Sequence, residues 1–592
     1  MVHSAPAPAL ANASLENVTN AVGWSPHRAI DSRWAPVAVA VVVSAVLQGL
    51  WLRFLASSGG DLAAQDAWAE FARAHPGSAY DLAWYGGMHP VSYSAISPFV
   101  MAGLGVRPTM VVTSTIAVGL LAWLLTSRVS HGASRFVPVL VGAFAFLGNA
   151  VSGRVTFALG TTVALGAVCV AVAWPDEWWP GSRGARVVRG LLVIVLAATA
   201  TACSPVAGLF LGVVAAALWL RRRRPAAYAL GIPAVLVVVA SALLFPFSGR
   251  QPMGWTSAVL PAAMAVAVIL LAPRAWRDIR VGAGVYLAMV AIAWLAPTPI
   301  GTNVTRLGLL FGGVVLVASA LRGRWRSSLV ATRFGAPAAA ALLGVAVVTS
   351  LGWQAAIAGH DAVRSRPPVS LNADIAPLVS QLRADGADLG RVEVVPTRSH
   401  REAAALAPYL QLARGWNRQA DVDRNPIFYT EGTLNGQTYQ RWLRRWAVRF
   451  VVVAETSEPD YGAGAEARLV ATGLPYLDQV WSDPSWTVYA VRHPAPLVRP
   501  KATVVSFDAD QLTLTTPAAG RYVVKVASSP WLSVVDGDLA ASAACLSDVE
   551  SDRPTPAGRS RTDNWVVLHA PQAGTYRITA PYKLPRGTPC PS

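Results

Sequence analysis

The sequence predicts a polytopic α-helical membrane protein with about eleven transmembrane helices, followed by an extracytoplasmic α/β domain and a C-terminal β-sandwich. Of its 592 residues, 54% are hydrophobic and only 14% are charged, whereas a soluble domain carries about 25% charged residues. The net charge of +17 is divided unevenly, because residues 1–356 hold 24 Arg and 9 acidic residues while residues 357–592 carry a net +2. Long apolar runs fill the first part, and short helix- and strand-like patterns fill the second.

The first part consists of apolar runs separated by short arginine-rich loops. A run of about 17–25 apolar residues can cross a bilayer as a helix. The predicted spans lie at 35–55, 109–126, 136–151, 155–174, 189–203, 205–220, 226–247, 255–272, 281–296, 304–321 and 335–356. The segment 92–106 is apolar but short and contains Pro98. We therefore interpret it as a re-entrant or interfacial helix within the first outer loop, 56–108.

The distribution of arginine among the loops predicts the orientation. One set of alternate loops carries 18 Arg and the opposite set carries 6, and the richer side is expected to be cytoplasmic. The sequence therefore predicts a multi-pass protein of the cell membrane. Its parts are a cytoplasmic tail at 1–33, a transmembrane domain at 34–356 and an extracytoplasmic C-terminal part. The tail lacks the build of a signal peptide. The positive charge thus indicates topology and argues against nucleic-acid binding.

Two further domains are predicted after the last span. Residues 357–498 alternate helical and strand patterns, which favours an α/β domain. Residues 499–592 contain short alternating strands separated by Gly and Pro, which favours a β-sandwich. Cys545 and Cys590 lie in this last domain, where an oxidising compartment allows a disulfide. The spacing of the four cysteines matches no metal motif.

Acidic residues are scarce in the membrane part, and the first outer loop holds four of the nine: Asp61, Asp66, Glu70 and Asp81. Asp61 follows Gly59 and Gly60 just beyond the first span. A carboxylate at a membrane boundary is partly desolvated, which suits it to proton transfer. The alternative is that these residues are solvated loop charges.

Cationic and polar groups are predicted on the same outer face. Arg154, Arg250 and Arg306 lie in loops on this side, and Asn303 precedes Arg306 by three positions. Arginine at bilayer depth is usually paired or functional, and its guanidinium suits bidentate recognition of phosphate. The alternative is that each arginine extends to lipid head groups.

This arrangement resembles the GT-C superfamily of polyprenyl-phosphate-sugar-dependent glycosyltransferases. The shared features are a first helix with a cytoplasmic N-terminus, a long first outer loop that starts with an acid, about ten more spans and an outer C-terminal domain. The stretches YGGMHP at 85–90, GTNVTR at 301–306 and GTYRITAPYKLP at 574–585 resemble actinobacterial members, which include arabinofuranosyl- and mannosyltransferase-like proteins. Only 3 of the 49 basic residues are lysine, which fits such a high-GC source.

The resemblance implies that a carboxylate removes a proton from the acceptor hydroxyl while a cation stabilises the departing lipid phosphate. It implies Asp61 as the catalytic base. The remaining implied roles are catalytic support by Asp66, Asp81 and His89, donor-phosphate binding by Arg306, Arg154, Asn303 and Arg250, and acceptor binding by Trp531 and Trp565. For His89 the alternative is a loop cap, and for the two tryptophans it is a place in the β-sandwich core.

The expected partners are the lipid bilayer, a polyprenyl-phosphate-linked sugar as donor, and a cell-envelope glycan or lipid as acceptor. The family often has a paired acidic motif, whereas Asp61 and Asp66 lie five positions apart. The residues therefore do not indicate a metal, although the chemistry leaves room for a divalent ion. Two other classes fit the same composition: a multi-pass transporter, and a non-enzymatic envelope-assembly protein. No internal repeat of the kind found in transporters is seen, and about eleven spans exceed what an anchor needs.

Overall fold

The computed structural model describes residues 26–128, 136–174, 182–247, 249–367, 375–536, 544–550 and 564–591. Most of the predicted N-terminal tail lies outside these ranges. The membrane part is built from helices α1 Pro26–Phe54, α2 Asp61–Ala74, α3 Ser97–Leu104, α4 Val106–Arg128, α5 Phe136–Val151, α6 Val155–Val168, α7 Arg183–Cys203, α8 Pro205–Leu220, α9 Arg224–Leu244, α10 Trp255–Leu271, α11 Arg277–Leu295, α12 Gly301–Ala320 and α13 Leu329–Arg364.

Within the described ranges, eight helices contain a segment long and apolar enough to cross a membrane: α1, α4, α6, α7, α9, α11, α12 and α13. For α6 this segment includes the wider helical turn Cys169–Ala173 that continues it. Three shorter apolar helices, α5, α8 and α10, coincide with three further predicted spans. Local chemistry sets their boundaries. Between α7 and α8, for example, the Ser204 hydroxyl accepts a hydrogen bond from the Ala207 amide and Pro205 begins the new helix, as expected for an N-cap followed by proline.

Two segments differ in extent from the prediction. In the predicted interfacial segment 92–106, a helix occupies only Ser97–Leu104, and α4 begins at Val106. Helix α13 continues past the predicted end at 356 to Arg364. Its last turns are polar, so hydropathy alone does not detect them.

The α/β domain contains helices α14 Ala376–Ala384, α15 Arg401–Leu406, α16 Arg418–Arg424, α17 Gly436–Arg445 and α18 Gly464–Ala471, with strands β1 Arg391–Val394, β2 Val448–Ala454, β3 Leu477–Ser482 and β4 Trp486–Val491. The sheet order is β1-β2-β4-β3; β1 and β2 are parallel and the other pairs are antiparallel. Helix α15 ends at Leu406, because Pro408 follows two positions later and proline disfavours continuation.

A buried ion cluster lies beneath this sheet. The Arg414 guanidinium is 2.8 Å from Glu466, 3.3 Å from Asp421 and 3.8 Å from Glu393. The Tyr439 hydroxyl donates a hydrogen bond to Glu466 over 2.8 Å. Burial, reinforced by the charge of Glu466, raises the pKa of Glu393 well above its usual value. Burial therefore favours the protonated form of Glu393.

The β-domain has two four-stranded antiparallel sheets, ordered β10-β11-β8-β5 and β6-β7-β12-β9. The strands are β5 Val498–Arg499, β6 Thr503–Phe507, β7 Gln511–Thr516, β8 Gly520–Ala527, β9 Ser533–Asp536, β10 Cys545–Glu550, β11 Asn564–Ala570 and β12 Gly574–Thr579. Side chains from both sheets share one core, which also takes up Tyr80 from the first outer loop. Cys545 and Cys590 form a disulfide.

Candidate functional site

Asp61 begins helix α2 and lies between two arginines from distant parts of the chain. Its Oδ2 atom is 3.8 Å from Nε of Arg154 and 3.8 Å from Nη2 of Arg306. The Asp61 side chain is 35% exposed and the arginines are 18% exposed. The guanidinium of Arg306 also lies 5.3 Å from the ring centre of Phe157. The structure thus brings together three of the residues that the sequence singled out.

Two glycines allow this close approach. Gly60 has φ +62° and Gly153 has φ +72°, in the left-handed region that favours glycine. A Cβ atom at Gly153 would lie 2.7 Å from the backbone nitrogen of Leu62. The turn that carries Arg154 can therefore pack directly onto the first residues of α2.

A second carboxylate, which sequence reasoning missed, completes the site. Asp361 near the end of α13 has Oδ2 3.5 Å from Nη2 of Arg154, and it accepts a 2.6 Å hydrogen bond from the Ser152 hydroxyl. The four charged groups Asp61, Asp361, Arg154 and Arg306 alternate in sign and balance one another. We call them the charged quartet.

A network of polar side chains adjoins the quartet. Gln65, one helical turn after Asp61, donates a 2.6 Å hydrogen bond to the Tyr93 hydroxyl and accepts one from the Thr156 hydroxyl. Because residues four apart share a helix face, Asp61 and Gln65 both point toward the start of α6. Burial, reinforced by the charge of Asp61, raises the pKa of Tyr93, so its hydroxyl stays protonated.

The α/β domain holds the backbone that precedes Asp61. The Gly60 amide donates a 2.7 Å hydrogen bond to the carbonyl of Ser399, and the Trp416 indole donates a 2.8 Å bond to the Gly60 carbonyl. The His400 ring stacks on Trp416 with centroids 3.5 Å apart. The segment 399–416 therefore fixes the residue before Asp61 from the domain side, by which we mean the end of the bundle that carries the α/β and β-domains.

An apolar groove of about 360 Å³ runs beside the quartet between α5, α12 and α13. Its lining includes Val151, one residue before Ser152, and Ala358, three residues before Asp361. Gln354 and Ser350 are among its few polar lining groups. Segments that carry the charged site thus also line an apolar groove in the bundle.

The structure does not bring Asp66 into the quartet. Its carboxylate forms two hydrogen bonds with the Arg107 guanidinium and lies 3.9 Å from Arg401. An offset of five residues rotates Asp66 away from the face of Asp61. Its contacts fasten the first outer loop to α4.

Asp81 and His89 pack the same loop against the β-domain. Asp81 accepts a 2.8 Å hydrogen bond from the Ala83 amide, and burial raises its pKa to about 7. His89 contacts the Ala79 carbonyl at 2.8 Å and the Ser529 hydroxyl at 3.1 Å, and burial lowers its pKa to about 4. Among the described residues neither contacts Asp61, so their places in the structure are those of packing residues.

Arg250 and Asn303 connect membrane loops rather than line the quartet. Arg250 forms an ion pair with Asp423 of α16 over 3.3 Å. Asn303 donates a 3.3 Å hydrogen bond to Gln251, which in turn accepts one from Gln419 of α16. These contacts join the segment before Arg306 to the α/β domain.

The two tryptophans predicted for acceptor binding are buried. Trp531 is 6% exposed, stacks on Phe245 at 5.0 Å and donates a 2.7 Å hydrogen bond to the Leu244 carbonyl. It docks the β-domain on the end of α9. Trp565 is 7% exposed and packs against Trp446 of the α/β domain. Neither presents a free ring face to a glycan.

Within the described part of the chain, one group of side chains has the spacing of a metal site: Cys545, His569 and Cys590, whose ligand atoms lie within 4.8 Å of one another. The two sulfur atoms are bonded to each other, so they cannot act as thiolate ligands. The quartet itself pairs each carboxylate with an arginine, which does not fit a divalent cation.

Fold and site define a polytopic membrane protein with a cluster of two carboxylates and two arginines where the helix bundle meets the α/β domain. The family profile of a domain of unknown function, DUF8823, matches residues 499–592. A comparison with curated proteins finds no significant match.

Among solved structures, the chain is similar to ArnT from Cupriavidus metallidurans bound to undecaprenyl phosphate, with 15% identity, coverage of 77% of this chain and 97% of that one, and a TM-score of 0.41. It is similar to the oligosaccharyltransferase of Archaeoglobus fulgidus in the apo form, with 10% identity, coverage of 71% and 70%, and a TM-score of 0.45. Because both TM-scores lie below 0.5, the functional argument rests on the site.

Proposed function

We propose that the chain is a GT-C-type membrane glycosyltransferase that transfers a sugar from a polyprenyl-phosphate donor to a cell-envelope glycan or lipid on the extracytoplasmic face. The observation that carries the proposal is the position of Asp61 between Arg154 and Arg306. An apolar groove lies nearby, lined by residues close in sequence to Ser152 and Asp361. A base, an anion site and a passage for a hydrocarbon chain are the three elements that such a reaction requires.

Asp61 acts as the general base. Both of its arginine contacts involve Oδ2, which leaves Oδ1 for the acceptor hydroxyl. As that hydroxyl oxygen bonds to the anomeric carbon, its proton passes to Asp61. The bond between the anomeric carbon and the phosphate oxygen breaks, and the lipid phosphate departs with one more negative charge.

The charged quartet matches this redistribution of charge. Before reaction, two carboxylates balance two arginines. When Asp61 becomes protonated, Arg154 and Arg306 face only Asp361, so one positive charge is uncompensated at the moment the phosphate gains its second negative charge. A preorganised cation near a developing charge is an effective form of electrostatic catalysis.

The other residues position this machinery. Asp361 holds Arg154 and is itself held by a hydrogen bond from Ser152. Gln65 and Thr156 are hydrogen-bonded to each other beside Asp61. The groove beside α13 accommodates the polyprenyl chain, since its lining is almost entirely apolar. We propose the same outward orientation that the arginine distribution predicts, with the quartet on the extracytoplasmic side.

The test is sugar transfer by the purified full-length protein supplied with a polyprenyl-phosphate sugar. Asp61→Asn keeps the shape and removes the base, so turnover should fall about 10²–10⁴-fold, the usual contribution of a general base. Glu70→Gln is the matched control, because Glu70 lies on the same helix in an exposed ion pair with Arg73. Its activity should equal that of the wild type.

Full transfer by Asp61→Asn would overturn the assignment of the base. Transport of a solute without any lipid-linked donor would favour a transporter, and glycan binding without turnover would favour an assembly protein. Arg306→Gln should weaken binding of the donor phosphate more than it weakens binding of the acceptor. This difference distinguishes the role of Arg306 at the phosphate from the role of Asp61 at the acceptor hydroxyl.

A further inference from the structure

A second and larger cavity, of about 600 Å³, lies in the half of the bundle away from the outer domains. It is bounded by α4, α6, α8, α10, α11 and α12, and its lining is dominated by Ala, Val, Leu, Met and Phe. The Leu244 end of α9 carries the β-domain through Trp531. The cavity opens near Arg223, just before the opposite end of α9, and therefore toward the other membrane face.

Two aromatic rings lie between one wall of this cavity and Arg306 of the charged quartet. Phe210 lines the cavity and packs edge-on against Phe157 with centroids 5.8 Å apart. Phe157 in turn lies 5.3 Å from the guanidinium of Arg306. At its inner end the cavity reaches Leu307, next to Arg306, and it shares Val314 with the groove beside α13. Its charged mouth lies at the other end, where Asp278 lines the cavity.

The size and lining of the cavity require an apolar occupant. Protein interiors are close-packed, with few voids larger than a water molecule, and an apolar cavity of any size gives water too few hydrogen-bond partners. Of its polar lining groups, Thr161 and Tyr286 lie deep, and Tyr286 already donates to the Val304 carbonyl over 3.0 Å. A hydrocarbon chain from the surrounding bilayer fits these walls.

The mouth of the cavity is a cationic site built around one acid. Asp278 contacts Arg221 at 3.0 Å with one carboxylate oxygen and Arg223 at 3.2 Å with the other. Arg277 lines the same opening. Three arginines and one aspartate leave the mouth with two uncompensated positive charges, and basic pockets between transmembrane helices bind anionic lipid head groups.

The backbone of the turn between α8 and α9 fixes the geometry of this mouth. Arg222 adopts φ +60°, an unfavourable conformation for a non-glycine residue that folded proteins retain mainly where it positions neighbours. Here it places Arg221 and Arg223 on opposite oxygens of the same carboxylate.

We infer that this cavity is a binding site for an anionic phospholipid of the leaflet opposite the outer domains, with an acyl chain inside and the phosphate at the three arginines. The site is separate from the proposed transfer reaction and stands or falls independently of it. Charge complementarity at the mouth selects an anionic head group over a zwitterionic one.

The experiment uses the full-length protein in mild detergent with two probes, phosphatidylglycerol and phosphatidylcholine, read by native mass spectrometry and by thermal unfolding. Phosphatidylglycerol should remain bound at least tenfold more than phosphatidylcholine and should raise the unfolding temperature. Arg223→Gln should reduce this preference at least fivefold. Arg224→Gln is the matched control, because it removes the same charge one position away and does not line the cavity; its preference should be unchanged.

Val315→Phe fills the cavity from α12, where Val315 is a half-buried lining residue. It should lower retention of both lipids while the protein still unfolds cooperatively. Equal binding of the two lipids, equal losses for Arg223→Gln and Arg224→Gln, or undiminished retention in Val315→Phe would each overturn the inference. Recovery of polyprenyl phosphate instead of phospholipid from the wild type would also overturn it.

Discussion

Two fully buried glutamates of the α/β domain are expected to respond very differently to the same substitution. Glu466 receives hydrogen bonds from Arg414 and from Tyr439, each of 2.8 Å. Glu466→Gln removes the anion from a buried ion pair, and loss of one partner costs about 3–5 kcal/mol. Burial and the charge of Glu466 raise the pKa of Glu393, which favours its neutral form. Glu393→Gln keeps the shape and the charge of that neutral form. The free energy of unfolding should therefore fall by less than about 1 kcal/mol, the size of one net hydrogen bond.

The pH dependence provides the second part of this prediction. Burial first, and then Glu466, raise the folded-state pKa of Glu393 above its unfolded value. The stabilisation from this group is complete at low pH and is lost as the pH rises through the folded-state pKa. Glu393→Gln should therefore resist alkaline destabilisation better than the wild type.

The assay is hydrogen exchange of β1 and β2 amides in the full-length protein between pH 6 and pH 9, converted to opening free energies. The glutamine variants serve as controls for each other, because both replace a buried glutamate in one cluster. Equal losses at pH 7, a greater loss for Glu393→Gln, or an unchanged alkaline slope in Glu393→Gln would refute the assignment of charges.

Three further outcomes are expected. Gly153 has φ +72°, and a Cβ atom there would lie 2.7 Å from the backbone of α2, so Gly153→Ala should reduce sugar transfer more than tenfold while membrane insertion persists. Gly344→Ala, where nothing lies within 4 Å, should leave activity intact, and equal activities of the two variants would contradict this steric explanation. Trp531→Ala removes a stacked ring and an indole hydrogen bond, so protease cleavage of the β-domain should accelerate, with a local loss of about 3–5 kcal/mol; unchanged cleavage rates would disprove docking through this ring. Replacing both Cys545 and Cys590 by Ser removes a disulfide between residues 45 positions apart, which should destabilise the β-domain by about 4 kcal/mol. Hydrogen exchange of the β-domain measures this loss, and the reduced wild type should show the same loss if the disulfide is its cause.

Composition and loop charge predict much of the membrane part, because hydropathy and the cost of buried charge act locally along the chain. Asp61 was singled out because acidic residues are scarce in the membrane part. The alternation of loops between the two sides of the membrane predicted Arg154 and Arg306 on the same side as Asp61. Asp361 escaped notice because it lies beyond the last apolar run, in polar turns that α13 adds before Arg364. Its neighbour His360 offered a weak signal, a pair of titratable residues after a predicted span.

Roles that depend on tertiary contacts were beyond the sequence. Asp66 looks as available as Asp61 until Arg107, 41 positions away, is seen to bind it. Trp531 is a plausible sugar-binding residue in the sequence, but in the structure its indole donates a hydrogen bond to a carbonyl of α9. Strand β10 gives only a weak signal in the sequence, because its residues, CLSDVE, include a single β-branched side chain.

The two hydrogen bonds on Gly60 also bear on how this chain can be recombined. Its amide bonds Ser399 and its carbonyl bonds Trp416, so the residue before Asp61 is fixed by a segment more than three hundred positions downstream. A chimera that joins this helix bundle to a foreign outer domain would keep every membrane helix and still misplace Asp61. Functional exchange between such proteins should therefore succeed only when the first outer loop and the segment 399–416 are transplanted as a matched pair.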